Sequence, residues 1–296
     1  MSLHPPPSAG RDVAHALAVH DLEFRYPKAP QPTIDGISFA VDRGEVFGLL
    51  GPSGAGKSTL QRILVGLLTD WSGRVDVLGR PAQAWDGRLY DRIGVSFELP
   101  VGYARLTARE DLQHFAHLHP GRRCRSIEDL SEGLGLIEDI DRPLETFSKG
   151  MRVRVNIARA LLHQPELVFL DEPTSGLDPV NTKRVRDLIA AEQNAGHTVV
   201  IMTHDMATAT AVCDRVAFVV DGRIAACDKP RTLQLQHGTR EVVVNFRKDG
   251  SARTVTIPIG DHHALSHLLS TADVDTVHST EANLDEVFLA VTGRSL

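Results

Sequence analysis

Aromatic residues and cysteines are scarce in this chain of 296 residues, and long apolar runs are missing. Phe, Trp and Tyr make up 5% of the residues. The longest apolar runs fall well short of the roughly 18 residues that a membrane-spanning helix needs. The first residues have neither a basic start nor an apolar stretch, so we expect no signal peptide. These absences indicate a cytoplasmic protein without a membrane span of its own.

Metal-binding patterns are also missing. The three cysteines lie far apart, without the paired spacing of a metal site or an even set for disulfides; they are Cys124, Cys213 and Cys227. Three histidines, at His114, His117 and His119, are close in sequence, but no carboxylate or cysteine completes a site. We therefore expect all three histidines to be surface residues.

The composition is that of a soluble globular protein. The chain is 42% hydrophobic and 24% charged, which is enough apolar material for a full core. Its formal net charge is −6, whereas a dedicated nucleic-acid binder is usually basic. We expect no nucleic-acid partner.

Apolar patterns divide the chain into three parts. Residues 1–14 are rich in proline and polar residues, which predicts a disordered tail. Residues 15–230 begin with β-rich segments and continue with short apolar strands that alternate with helices, which predicts an α/β fold with a parallel sheet. A mainly helical subdomain is expected at about 95–165. Residues 231–296 are predicted to form a small α+β appendage, with a hairpin turning at Asp249-Gly250.

The strongest motif is a glycine-rich loop between an apolar strand and a helix. It matches the phosphate-binding loop (P-loop) pattern G-x-x-x-x-G-K-[ST] and comprises Gly51, Pro52, Ser53, Gly54, Ala55, Gly56, Lys57, Ser58 and Thr59. Its backbone N–H groups and the following helix N terminus would bind phosphates. Lys57 would reach the β- and γ-phosphates and Ser58 would ligate Mg²⁺. The alternative, a plain glycine-rich turn, does not explain why strand, loop and helix occur in this order. The motif by itself indicates only a nucleoside triphosphate.

Two carboxylates follow a short apolar strand at Leu167–Leu170. Such a pair is often only a solvated loop start or a helix cap. With a P-loop upstream, we expect Asp171 to hold Mg²⁺ and Glu172 to polarise the attacking water.

Further motifs, in order and with matching spacing over about residues 16–230, resemble the ATP-binding-cassette (ABC) ATPases. Phe147-Ser148-Lys149-Gly150-Met151 resembles the signature loop of that family, and Pro173-Thr-Ser-Gly-Leu-Asp178 resembles its D-loop. His204 follows an apolar strand as the family's switch histidine does. Tyr26 stands where an aromatic residue stacks on adenine. Each residue also has a purely structural interpretation, as a helix cap or a packing residue.

The resemblance implies an ATPase that acts as an ATP-dependent homodimer. ATP would lie between the P-loop of one copy and the signature loop of the other, formed by Ser148, Lys149, Gly150 and Met151. Glu172 would be the general base, and His204 would hold the γ-phosphate and the water. The family usually has glutamine where this chain has Glu98, which we interpret as a tolerated Mg²⁺ ligand, although a change in coupling or metal preference is the alternative.

The resemblance also suggests what the ATPase drives. Residues 283–293 are similar to the C terminus of ATPases that serve ABC-2-type exporters. We therefore expect ATP hydrolysis to drive efflux of a drug, antibiotic or other hydrophobic compound through a separate permease, with the protein on the inner face of the cell membrane. The alternatives are an ABC importer ATPase and a soluble, non-transport ABC ATPase.

Overall fold

The computed structural model describes residues 15–98, 102–237, 240–248 and 251–294. The tail predicted to be disordered, residues 1–14, lies outside the described residues. None of the helices in these ranges combines the length and the apolar character of a membrane span.

An antiparallel sheet opens the chain. It consists of β1 (Leu17–Phe24), β2 (Ile34–Val41), β4 (Ser72–Val77) and β5 (Arg80–Pro81), in the order β2-β1-β4-β5. Buried and exposed residues alternate along parts of β1 and β2, as expected of strands that face a core on one side. This sheet forms the predicted N-terminal β subdomain.

A six-stranded sheet forms the centre of the molecule. Its strands are β3 (Val46–Leu50), β6 (Ile93–Ser96), β7 (Leu167–Asp171), β8 (Thr198–Thr203), β9 (Arg215–Val220) and β10 (Arg223–Asp228), in the order β10-β9-β3-β8-β7-β6. All pairs are parallel except that of β9 and β10. Every residue of β3, β7 and β8 is buried, because helices and the first sheet cover both faces. The predicted α/β fold is confirmed.

Helices connect the parallel strands. They are α1 (Lys57–Leu64), α4 (Lys149–Leu161), α5 (Pro179–Asn194) and α6 (Met206–Val212). The apolar spacing predicts that α1 continues to Leu67 and Leu68, which is wrong. Gly66 adopts a positive φ of 78° directly after the helix, and Leu67 is 53% exposed. A glycine in this conformation commonly ends a helix.

The helical subdomain contains α2 (Ala108–His117) and α3 (Ile127–Gly133), which both pack on α4. The spacing of Thr107 and Glu110 predicts a capping box, and the structure contains it. The Thr107 hydroxyl accepts the Glu110 N–H at 3.1 Å, and the Glu110 carboxylate accepts the Thr107 N–H at 2.8 Å. The start of α2 is therefore decided by local sequence.

The C-terminal residues do not form one separate body. A three-stranded sheet contains β11 (Arg240–Lys248), β12 (Ser251–Pro258) and β13 (Asp273–Glu281), and α8 (His262–Thr271) connects two of its strands. In contrast, α7 (Pro230–His237) and α9 (Leu284–Thr292) pack on each other and on the central domain. The Phe288 ring meets Phe218 of β9 edge to face, at 5.2 Å. The final helix thus belongs to the main core.

Candidate functional site

The P-loop spans residues 51–56, between the end of β3 and the start of α1. Gly56 has φ of 105°, and a Cβ atom there would lie 2.8 Å from the Thr33 carbonyl oxygen. Only glycine fits this position, since both the conformation and the close approach exclude a side chain. The loop therefore wraps tightly around the start of α1.

Lys57 and Ser58, the first two residues of α1, point into this loop and toward β7. The Lys57 ammonium donates to the carbonyl oxygens of Gly51 at 2.5 Å and Pro52 at 3.1 Å. Burial lowers the pKa of Lys57, and the nearby carboxylates of Glu172, Asp171 and Glu98 oppose that shift. Ser58 Oγ donates to Asp171 at 3.0 Å.

Asp171 ends the buried strand β7 and is itself buried. Burial raises the pKa of Asp171 to about 6; the bond from Ser58 and the charge of Lys57 lower this pKa, while Glu172 and Glu98 raise it. The Ser58 hydroxyl and two carboxylates, Asp171 and Glu98, line one cavity. These are the hard oxygen ligands that Mg²⁺ prefers, so the residues present fit this metal.

Glu172 is held on both carboxylate oxygens. Oε1 accepts the backbone N–H of His204 at 3.1 Å and lies 2.8 Å from His204 Nδ1. Oε2 accepts the hydroxyl of Thr203 at 2.9 Å. The Glu172 backbone adopts φ of 49°, which is uncommon for a residue with a side chain. Because several bonds maintain it, the carboxylate has one defined direction.

We call the space between these groups the P-loop cavity. It has a volume of about 290 Å³. Residues from five separate chain segments meet there, including the predicted Ser53, Gly54, Gly56, Lys57, Ser58, Thr59, Glu98, Asp171, Glu172 and His204. Thr33 also lines it and was not predicted, because it belongs to no motif. Gly51, Pro52 and Ala55 form the rest of the loop.

Tyr26 lies beside the P-loop helix. Its hydroxyl is 3.3 Å from Thr59 Oγ1, and its ring meets Phe24 edge to face at 4.8 Å. Tyr26 does not belong to the described lining of the P-loop cavity.

The signature segment starts α4 and lies apart from this cavity. Ser148 is the N-cap, its hydroxyl accepting the Met151 N–H at 3.2 Å. Lys149 Nζ is 3.3 Å from Ser175 Oγ of the D-loop segment. A Cβ at Gly150 would lie 2.9 Å from Leu177, so the two segments pack closely. Among the described residues, none of positions 148–151 lines the P-loop cavity of the same chain.

Asp178 is the N-cap of α5, and the proline that follows it is typical of the first helical position. Its Oδ1 accepts the Asn181 N–H at 2.9 Å, and this bond lowers the pKa of Asp178.

A second depression, the apolar groove, lies between the central sheet and the helical subdomain. It has a volume of about 650 Å³ and is lined mainly by apolar side chains, among them Leu67, Phe97, Phe115 and Leu118. Leu67 and Leu118 are each more than half exposed at this surface.

His119, which we expected at the surface, is buried below the groove. Its ring stacks on His163 at 4.1 Å, and its Nδ1 lies 3.2 Å from Asp91. The expectation for His119 is therefore wrong, because tertiary packing covers this residue, which lies two positions after the end of α2. The described ranges contain no cluster of three or more His, Cys, Asp or Glu residues able to hold a metal ion.

Comparisons with known proteins agree with this geometry. A family model described as ABC transporter matches residues 34–175. The fluoroquinolones export ATP-binding protein of Mycobacterium tuberculosis is 47% identical over 293 residues, which cover 98% of this chain and 97% of that protein. The linearmycin resistance ATP-binding protein of Bacillus subtilis is 30% identical over 310 residues, covering 95% of this chain and 99% of that protein.

A solved structure of an ATP-binding subunit of an ABC transporter has the same fold. Its TM-score is 0.66 at 30% identity, and the match covers 75% of this chain and 92% of that chain. The match therefore leaves about a quarter of this chain without a counterpart.

Proposed function

The chain belongs to the ATP-binding proteins of ABC transporters, and from this premise we propose that it is the ATPase subunit of an ABC-2-type exporter. One observation carries the proposal. The likeness to the fluoroquinolone-export and linearmycin-resistance proteins extends over nearly the whole chain, including the residues after 230, whereas the family model ends at residue 175. The cargo we propose is a drug, antibiotic or other hydrophobic compound.

ATP binds, in this proposal, in the P-loop cavity. The backbone of residues 51–56 and the N terminus of α1 face the phosphates, and Lys57 exchanges its bonds to the loop carbonyls for bonds to the β- and γ-phosphates. Tyr26 stacks on the adenine. Ser58, Asp171 and Glu98 hold Mg²⁺, which when bound neutralises phosphate charge.

Hydrolysis uses the pair Glu172 and His204. Glu172 accepts a proton from the attacking water, and His204 contacts the γ-phosphate and helps to orient that water. The exposed position of the His204 ring leaves it free to meet the nucleotide, since its side chain is 57% exposed.

Catalysis in this proposal needs a second copy of the chain. Ser148, Lys149, Gly150 and Met151 lie away from the P-loop cavity of their own chain, so they act on the nucleotide of the partner copy. Asp178 of the D-loop segment is the N-cap of α5, and the neighbouring Leu177 packs against Gly150 of the signature segment. The separation within one chain supports an ATP-dependent homodimer.

A membrane permease is the second proposed partner. The apolar groove, with its exposed Leu67 and Leu118, offers a surface for an apolar segment of that permease. The ATPase would then lie on the inner face of the cell membrane.

An affinity pull-down of the tagged Glu172→Gln variant tests this proposal. It is performed with ATP on detergent-solubilised native membranes, and co-purified proteins are identified by mass. The proposal expects a roughly stoichiometric multi-span permease of the exporter type, and the wild-type chain without ATP is the control. A permease that works with an extracellular binding protein would indicate an importer, and recovery of soluble partners alone would indicate a non-transport ATPase.

A further inference from the structure

A buried amide joins the signature helix to the segment that carries Glu98. Asn156 lies two turns into α4 and is only 7% exposed. Its Nδ2 donates to Ser96 Oγ and to the Phe97 carbonyl oxygen, both at 2.9 Å. Ser96 ends β6, and Phe97 directly precedes Glu98.

The P-loop helix joins the same cluster. Gln61 of α1, which is fully buried, donates through Nε2 to the Ser96 carbonyl oxygen at 3.2 Å. Side chains from α1 and α4 therefore bond to two consecutive residues at the end of β6. Buried polar groups lose free energy when a partner is removed, so such a cluster favours one arrangement of the three elements.

The cluster also reaches the protein surface. Phe97 and Asn156 both line the apolar groove. An occupant of the groove therefore contacts the two residues whose hydrogen bond holds the backbone next to Glu98.

From these contacts we infer that Asn156 is a positioning residue, which holds the Glu98 segment against the P-loop helix and the signature helix. Without the Asn156 side chain, the Phe97 carbonyl oxygen loses its hydrogen bond to α4. The Glu98 carboxylate then no longer has a defined place beside Ser58 and Asp171 in the P-loop cavity. This inference rests on the proposed role of Glu98 as a Mg²⁺ ligand. No sequence motif indicated Asn156.

Hydrogen exchange of the nucleotide-free protein tests whether Asn156 holds the Glu98 segment in place. In Asn156→Ala, and in Asn156→Asp, which keeps the size but cannot donate, peptides that contain Phe97 and Glu98 should exchange about fivefold faster. The matched control is Val155→Ala, because Val155 is a buried neighbour on the same helix. The control should lower stability and leave exchange in these peptides unchanged relative to the rest of the subdomain. Equal exchange in Asn156→Ala and Val155→Ala would overturn the inference.

Metal-dependent nucleotide binding tests whether Asn156 affects Mg²⁺ binding through the Glu98 carboxylate. Equilibrium binding of a fluorescent ATP analogue is titrated with Mg²⁺ in the wild type, Glu98→Ala, Asn156→Ala and the double variant. Each single variant should require about fivefold more Mg²⁺, and the double variant no more than either single one, because both act through the same carboxylate. Fully additive effects, or an unchanged Mg²⁺ requirement in Asn156→Ala, would refute the role of Asn156. Failure of the wild type to bind the analogue would instead contradict the proposed function, while the exchange result stands.

Discussion

Glu172 and His204 contact each other through two groups of the histidine. Glu172 Oε1 accepts the His204 N–H at 3.1 Å and lies 2.8 Å from Nδ1 of its ring. The adjacent Thr203 binds the other carboxylate oxygen. The end of β8 thus positions the expected general base at the end of the neighbouring strand β7.

Replacing Glu172 should separate binding from hydrolysis. Glu172→Gln keeps the size of the side chain, but its amide cannot take a proton from water. We expect ATP to bind and kcat to fall by about 10²- to 10⁴-fold. Nucleotide binding and phosphate release, measured on the same preparation, check this. Turnover at the wild-type rate would contradict the assignment of Glu172 as the base.

Thr203 should contribute to catalysis without touching the nucleotide. Thr203→Val keeps the shape of this buried side chain but removes the hydroxyl that binds Glu172 and accepts the Asp205 N–H at 3.0 Å. We expect kcat to fall about tenfold, with ATP affinity nearly unchanged. Thr203→Ser, which retains the hydroxyl, is the control. A loss of affinity equal to the loss of kcat would argue against a role in orienting Glu172.

Acid should destabilise the protein through His163. Burial is the main reason why the pKa of His163 is lowered to about 4. The neighbouring His119 and Arg122 lower this pKa further. Asp91 and the hydrogen bond to the Ile93 carbonyl oxygen raise it. The unfolded chain therefore binds a proton near pH 6.5 that the folded chain binds only near pH 4. The contribution of neutral His163 to the free energy of unfolding is fully present above pH 6.5. It should be lost as the pH falls toward 4, which lowers stability by about 3 kcal/mol.

Denaturant unfolding at several pH values measures that loss. His163→Gln does not titrate, so its free energy of unfolding should depend less on pH in this range. His20→Gln, at an exposed position, is the control and should keep the wild-type slope. Identical slopes in all three proteins would show that His163 is not responsible.

The final helix should stabilise the whole ATPase domain. Phe288 is fully buried and packs on Phe218 of β9. Phe288→Ala should lower the free energy of unfolding by about 3–5 kcal/mol. Leu289→Ala is the matched control, because Leu289 is 51% exposed and its truncation should cost less than about 0.5 kcal/mol. An equal, small effect of both changes would mean that α9 does not contribute to the core.

Sequence reasoning succeeded where neighbouring residues decide the structure. The capping box at Thr107 and Glu110 and the hairpin strands β11 and β12 follow from local patterns, and the structure contains both. It failed where distant parts decide. The apolar spacing predicted a longer α1 than the structure contains. His119 is covered by His163, which lies two residues after α4, and no sequence pattern indicated this contact.

The sequence by itself determined the type of chemistry. A glycine-rich loop before Lys57, and carboxylates after an apolar strand, are local patterns whose residue types restrict what they bind. Only the tertiary structure decided which groups meet. Strand β8 lies between β3 and β7, so Thr203 and His204 reach Glu172 beside the P-loop. Asn156 bonds to Phe97 across 59 residues of chain. Such contacts depend on strand order and helix packing, which bring together residues that are far apart in sequence.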